Sequence, residues 1–169
     1  DAEELGGLVR EFMQPPKIQR RFHLRGWDER VIAAMAAACT LSAETFADRD
    51  ALETQMALAL DLLKTQYPGV AFSAPVIAER DDRFTATWES RPLGGLRRTP
   101  ATADLVGLRD WRELVRIHTI WRDLAAAGEV SVSFGREEPT PLHGMAELVE
   151  RVETEGKKGW LIQRYKGLG

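Results

Sequence analysis

The triplet Tyr67-Pro68-Gly69 separates two stretches of chain with different hydrophobic periods, and that change constrains the fold more than any other feature. Before it, apolar residues recur every three or four positions, the repeat of a helix. After it come short runs that alternate every second position, the repeat of a strand with one buried face. Proline lacks the amide hydrogen a helix needs, and glycine lets the chain turn, so the triplet is a natural stop. Helices grouped first, with strands and helices mixed afterwards, predict an α+β fold with a small, mainly antiparallel sheet.

Within the first part, Leu5, Leu8, Val9 and Phe12 form one stripe on a helix over residues 2–13 that Pro15-Pro16 ends. Pro16 is suited to open a short second helix at its first position, carrying Lys17, Arg20 and Arg21 and ending at Gly26. An alanine-rich helix is expected from Asp28 to Cys39. Another is expected from Asp50 to Gln66, with Leu52, Met56, Ala59, Leu60 and Leu63 on one side and Asp48 or Asp50 as its cap.

In the second part, Val70–Ile77 and Arg83–Glu89 read as a hairpin around the charged turn 79–82, with Phe84, Ala86 and Trp88 on one face. Residues 91–103 are the most loop-like of the chain, with room for a short strand through Leu96–Thr99. A helix is expected over Leu108–Ala127, a strand over Val130–Phe134, a helix over Leu142–Thr154 and a terminal strand over Trp160–Tyr165. There is no internal repeat. The expected organisation is a helical part, 1–68, then a mixed part from 69 onward, within which the resemblance described below sets residues 156–169 apart from 69–155 as a return strand.

With 169 residues and 44% hydrophobic content, the chain can bury one full core or two small ones. Its 23 basic and 26 acidic residues give a net charge of −3, so any attraction to nucleic acid must be local. The lone Cys39 cannot close an internal disulfide, and a reducing, cytoplasmic setting is the default. The apolar run around it is far shorter than the roughly 20 residues a membrane span needs, so no membrane partner is expected.

Several chemistries lack their residues. Gly156-Lys157-Lys158-Gly159 and Lys166-Gly167-Leu168-Gly169 fit neither the P-loop nor the dinucleotide fingerprint. His23, His118 and His143 lie far apart in sequence, so no metal site is expected, and His118 reads as a hydrogen-bonded core or boundary residue. The acid pairs Asp81-Asp82 and Glu137-Glu138 fall in polar turns, which do not raise a carboxyl pKa. No nucleophile elbow occurs. No catalytic residue and no cofactor is assigned to the chain itself. The five tryptophans read mainly as packing residues, with Trp27 the one candidate for an exposed contact.

What remains are two basic clusters. Lys17, Arg20, Arg21 and Arg25, with His23, lie within nine residues that contain no acid, and Lys157, Lys158, Arg164 and Lys166 lie between Gly156 and Gly169. Phosphate binding needs only such cations displayed together. The competing reading is a solvated face balanced by Glu147, Glu150, Glu153 and Glu155, and the charge pattern taken alone favours it.

The string Gln163-Arg164-Tyr165-Lys166-Gly167-Leu168-Gly169, led in by Gly159-Trp160-Leu161-Ile162, resembles the signature of the B subunits of bacterial DNA gyrases, which are type IIA topoisomerases. Leu5 to Met13, followed by Lys17-Ile18-Gln19-Arg20-Arg21-Phe22, is similar to the segment that opens a large insertion in the metal-binding TOPRIM domain of Gram-negative members. The resemblance implies that residues 1 to about 155 are that insertion and that the rest returns into the TOPRIM domain. In the family the signature continues into Glu-Met and the chain here stops before it, without a start methionine, so a piece of a longer polypeptide is expected.

The resemblance also implies a parent enzyme that uses ATP and Mg2+ to introduce negative supercoils by double-strand passage. Its expected partners are the A subunit and the rest of the B subunit in an A2B2 assembly, and double-stranded DNA. The family's magnesium motifs and ATPase domain lie upstream, and the cleaving tyrosine belongs to the A subunit, so no catalytic role transfers. Arg164 and Lys166 are the implied phosphate contacts, Tyr165 would pack the strand, and Gly167 would shape the loop. The alternative is a purely structural module that joins protein subunits without touching DNA.

Overall fold

A computed structural model describes residues 8–134, 138–155 and 160–165. The fold is α+β, with two three-stranded antiparallel sheets. The chain divides into two compact units, one of residues 17–115 and one of residues 1–16 with 116–169. No helix among the described residues is long and apolar enough to cross a membrane.

In the unit of residues 17–115, the basic helix α2 (Pro15–Leu24, following the helical residues 8–12, α1) precedes α3 (Glu29–Ala38) and α4 (Arg49–Gln66). Both later helices begin where a carboxylate caps them. Asp28 accepts from the Arg30 amide, and Asp48 accepts from the amides of Asp50 and Ala51, so Asp48 is the cap of α4. Helix α3 packs on α4, and α4 meets the sheet strand β2 (Arg83–Ser90). Val31, Ile32, Met35, Leu52, Met56, Leu63, Ala86 and Trp88 are buried, so helices and sheet contribute apolar side chains to the same unit.

The hairpin forms with a shifted first strand. Strand β1 is Val76–Arg80, not Val70–Ile77, and pairs with β2 from Val76↔Thr87 to Arg80↔Arg83. Pro75, which has no amide hydrogen to give the ladder, stands immediately before it. The turn is the two residues Asp81 and Asp82, both left-handed at φ 53° and 59°, as a two-residue primed hairpin turn requires. The third strand, β3, is Arg97–Ala101 and continues past the expected Leu96–Thr99. Pro100 is tolerated because β3 is an edge of the order β1-β2-β3. A short helix α5 (Ala103–Gly107) leads into α6 (Arg109–Ala126), where Trp111 and Leu114 are buried.

The second unit takes α6 from Arg116 onward, then β4 (Glu129–Phe134), β5 (Thr140–Leu142), α7 (Met145–Glu155) and β6 (Trp160–Tyr165). Strand β4 is central and antiparallel to both neighbours, and buries Val130, Ser131 and Val132. Leu142 closes β5 opposite Val130 instead of opening the last helix, because that pairing holds it extended until Gly144. Leu148 and Val152 of α7 are buried, as is Ile117 of α6. Phe12 of α1 meets Trp121 edge to face at 5.1 Å, and Glu11 pairs with Arg116 at 2.6 Å.

Candidate functional site

Helix α2 sorts its residues by face. Ile18 and Phe22, four apart, are buried, while Lys17, Arg20, Arg21 and Leu24 are exposed, as is Arg25 just beyond the helix end. The structure therefore gathers the first basic cluster on one element. Lys17 and Arg20 form no salt bridge among the described residues. Arg25 lies over the Trp27 ring at 5.4 Å, and that ring in turn stacks on Phe22 at 5.7 Å. Trp27 is thus a half-buried shelf beneath an arginine rather than an exposed plate.

The end of α2 is tied down by side chains that no local pattern announced. Gly26 takes a left-handed φ of 91° and ends the helix, its amide donating to the His23 carbonyl. From β3, Arg97 Nη1 donates to the His23 and Trp27 carbonyls at 2.8 and 3.0 Å. The next residue, Asp28, is a buried junction. Its amide donates to Thr99 Oγ1 at 2.8 Å, and its carboxylate accepts from Ser90 Oγ at 2.7 Å and from Arg30 at 2.8, 3.0 and 3.1 Å.

Burial alone would raise the Asp28 carboxyl, but the bonds from Arg30 and Ser90 outweigh it and hold the group below its ordinary range. A charged, fully bonded anchor thus fixes the turn from which the basic helix projects. Arg30 extends the junction over the rings of Phe72 and Tyr67, at 4.9 and 5.6 Å.

An acid is bonded to one of the cations. Asp110, in the first turn of α6, accepts from both arms of Arg21, at 3.0 Å from Nε and 2.9 Å from Nη2. This bidentate bond, with the charges of Arg25 and Arg109, holds the Asp110 carboxyl below its ordinary range against the opposing effect of partial burial. The Arg21 guanidinium is raised in turn, first by the same hydrogen bond. Arg21 and Asp110 are 89 residues apart, so only the fold reveals the pair.

The second basic cluster lies only in part among the described residues. Gln163, Arg164 and Tyr165 lie in β6, opposite Ser131, Val130 and Glu129 of β4. Lys157, Lys158, Lys166, Gly167, Leu168 and Gly169 lie outside the described residues, as do Leu5 and Glu137.

Among the described residues no group of three or more His, Cys, Asp or Glu side chains could hold a metal ion. Asp81 and Asp82 are exposed in their turn. Cys39 is buried, its thiol pushed up to about 12 by burial, and donates to the Gln55 carbonyl at 3.0 Å, so it is no nucleophile at neutral pH. His118 of α6 is half-buried, as a boundary histidine would be, but its shielded Nε2 has no hydrogen-bond partner among the described residues, which corrects the expectation of a bond there. An open groove of about 630 Å3 is lined by Arg30, Phe72, Val76, Glu89, Arg91 and Leu96, with Val76 and Leu96 largely exposed. No protein-family model and no curated protein matches the chain.

Proposed function

We propose that this chain is part of a gyrase B-type subunit of a type IIA topoisomerase, and that it acts there as an accessory insertion whose α2 face contacts the DNA backbone. The identity rests on the string Gln163 to Gly169 and on the basic segment that follows Pro15-Pro16. The observation that carries the DNA role is the exposure of Lys17, Arg20, Arg21 and Arg25 on and just after one helix, whose end is pinned by Asp28 and Arg97. Phosphate contacts position a protein on a duplex without reading sequence, and cations on a rigid helix supply them. The insertion performs no chemistry. Mg2+ and ATP belong to the parent enzyme, and the A subunit and the remaining B subunit are its protein partners.

A second reading, a protein–protein module in the same cytoplasmic enzyme, draws on the net charge of −3 and on the groove with exposed Val76 and Leu96. Anisotropy of a labelled duplex titrated at several salt concentrations separates the two. Binding that weakens with salt and drops about tenfold or more in Lys17→Glu/Arg20→Glu/Arg21→Glu is the expected result. Absence of binding at low salt removes the DNA role and leaves the module.

A further inference from the structure

Asp110 is the only carboxylate seen bonded to the basic helix among the described residues, and its geometry is that of a phosphate stand-in. The Arg21 fork grips two oxygens of Asp110 in parallel, the same arrangement with which a guanidinium grips a phosphodiester. Arg25 and Arg109 direct their charge at the same carboxylate. The pair is open to solvent, with Arg21 54% and Asp110 27% exposed, so a ligand can reach it. Exposed pairs of this kind contribute little to stability, which leaves the fork cheap to redirect.

We infer that Asp110 is a built-in competitor for the Arg21 fork: it occupies the site that a nucleic-acid backbone phosphate takes on binding, so that phosphate and carboxylate exchange on one guanidinium. The inference rests on the α2 face being a backbone contact and adds to it a regulating residue on a different element. In the free protein Lys17, Arg20 and Arg25 make the encounter, and Arg21 joins when the phosphate displaces Asp110. The carboxylate lowers affinity and shallows the salt dependence, because Arg21 begins already neutralised.

The test compares duplex binding by the chain with that of Asp110→Asn, Asp110→Ser, Asp61→Asn and Asp110→Asn/Arg21→Gln. Asp61 is an exposed acid of α4, so its amide variant changes net charge equally without touching α2. Both Asp110 variants are expected to bind about fivefold more tightly, with a log-affinity against log-salt slope steeper by about 0.9, the release expected for one more phosphate contact. Asp61→Asn is expected to leave the slope unchanged, and the double variant to lose the gain.

Asp110 variants that only match Asp61→Asn, or a double variant that keeps the gain, overturn the competitor while leaving the α2 contact standing. No salt-sensitive binding by any variant overturns both. Circular dichroism and thermal melts on each variant keep the comparison among folded proteins.

Discussion

The two compact units shield a titratable group from water in opposite ways. In residues 17–115, Asp28 is buried as a charge and surrounded by donors from Arg30, Ser90 and its own helix start. In the unit containing residues 116–169, the half-buried His118 has a shielded Nε2 without a bond among the described residues and is held neutral, its pKa pushed down to about 4 by desolvation first and by the Arg122 charge second. Ser131, buried on β4 of that unit, also has its hydroxyl without a partner among the described residues. A buried ion must be paired and bonded, whereas a buried base can lose its proton instead. The first solution pins a helix end to a sheet; the second is expected to make its unit sensitive to mild acid.

Breaking the Asp28 junction is expected to have the largest effect. Asp28→Ala strips the cap of α3 and leaves Arg30 and Ser90 without their acceptor, a loss of about 3 kcal/mol by urea unfolding. Because the folded carboxyl is held low, its contribution is present above the unfolded value of about 3.9 and disappears as pH falls through the lower folded value. The wild-type junction should therefore stay intact at pH values where the His118 unit has already weakened.

His118 sets that earlier window. With a folded value of about 4 against an ordinary 6.5, the unfolded state binds the extra proton between those values. Stability is full above the upper value and declines as pH falls toward the lower, by about 2 kcal/mol at a pH of about 5. His118→Leu should flatten this stretch of the pH–stability curve; an unchanged slope would show that the histidine is not the titrating group.

The smallest effect is expected at the surface pair Glu11–Arg116, where both partners are more than a third exposed. Glu11→Gln should cost no more than about 0.5 kcal/mol and less at high salt, measured by thermal melting. A loss as large as that of Asp28→Ala would mean that surface pairing, rather than burial, sets the difference between the units.

Much of the element order was legible from period and punctuation. The helices around Leu52–Leu63 and Trp111–Leu114, and the hairpin face Ala86–Trp88, follow from apolar spacing that burial then satisfies. The misplacements occurred where pairing overrides local pattern. Val70 is apolar enough for a strand but stands on the far side of Pro75 from the ladder, and Leu142 fits a helix stripe but is held by Val130. The basic residues Lys17 to Arg25 were visible as a charge run, and their common exposure followed from the helix repeat. The acid bonded to Arg21 was not, since Asp110 looked like an ordinary first-turn acid of its own helix.

The sequence by itself determined the α+β class, the helical stretch ahead of Tyr67-Pro68-Gly69 and the cationic face of α2, because each rests on spacing within one short window. Only the tertiary structure decided that Arg97, Ser90 and Thr99 would meet the turn at Asp28, and that Asp110 would meet Arg21. Those contacts join residues 62 to 89 positions apart. Hydrogen bonds act over about 3 Å, so partners that distant along the chain are chosen by packing and strand pairing, not by local pattern.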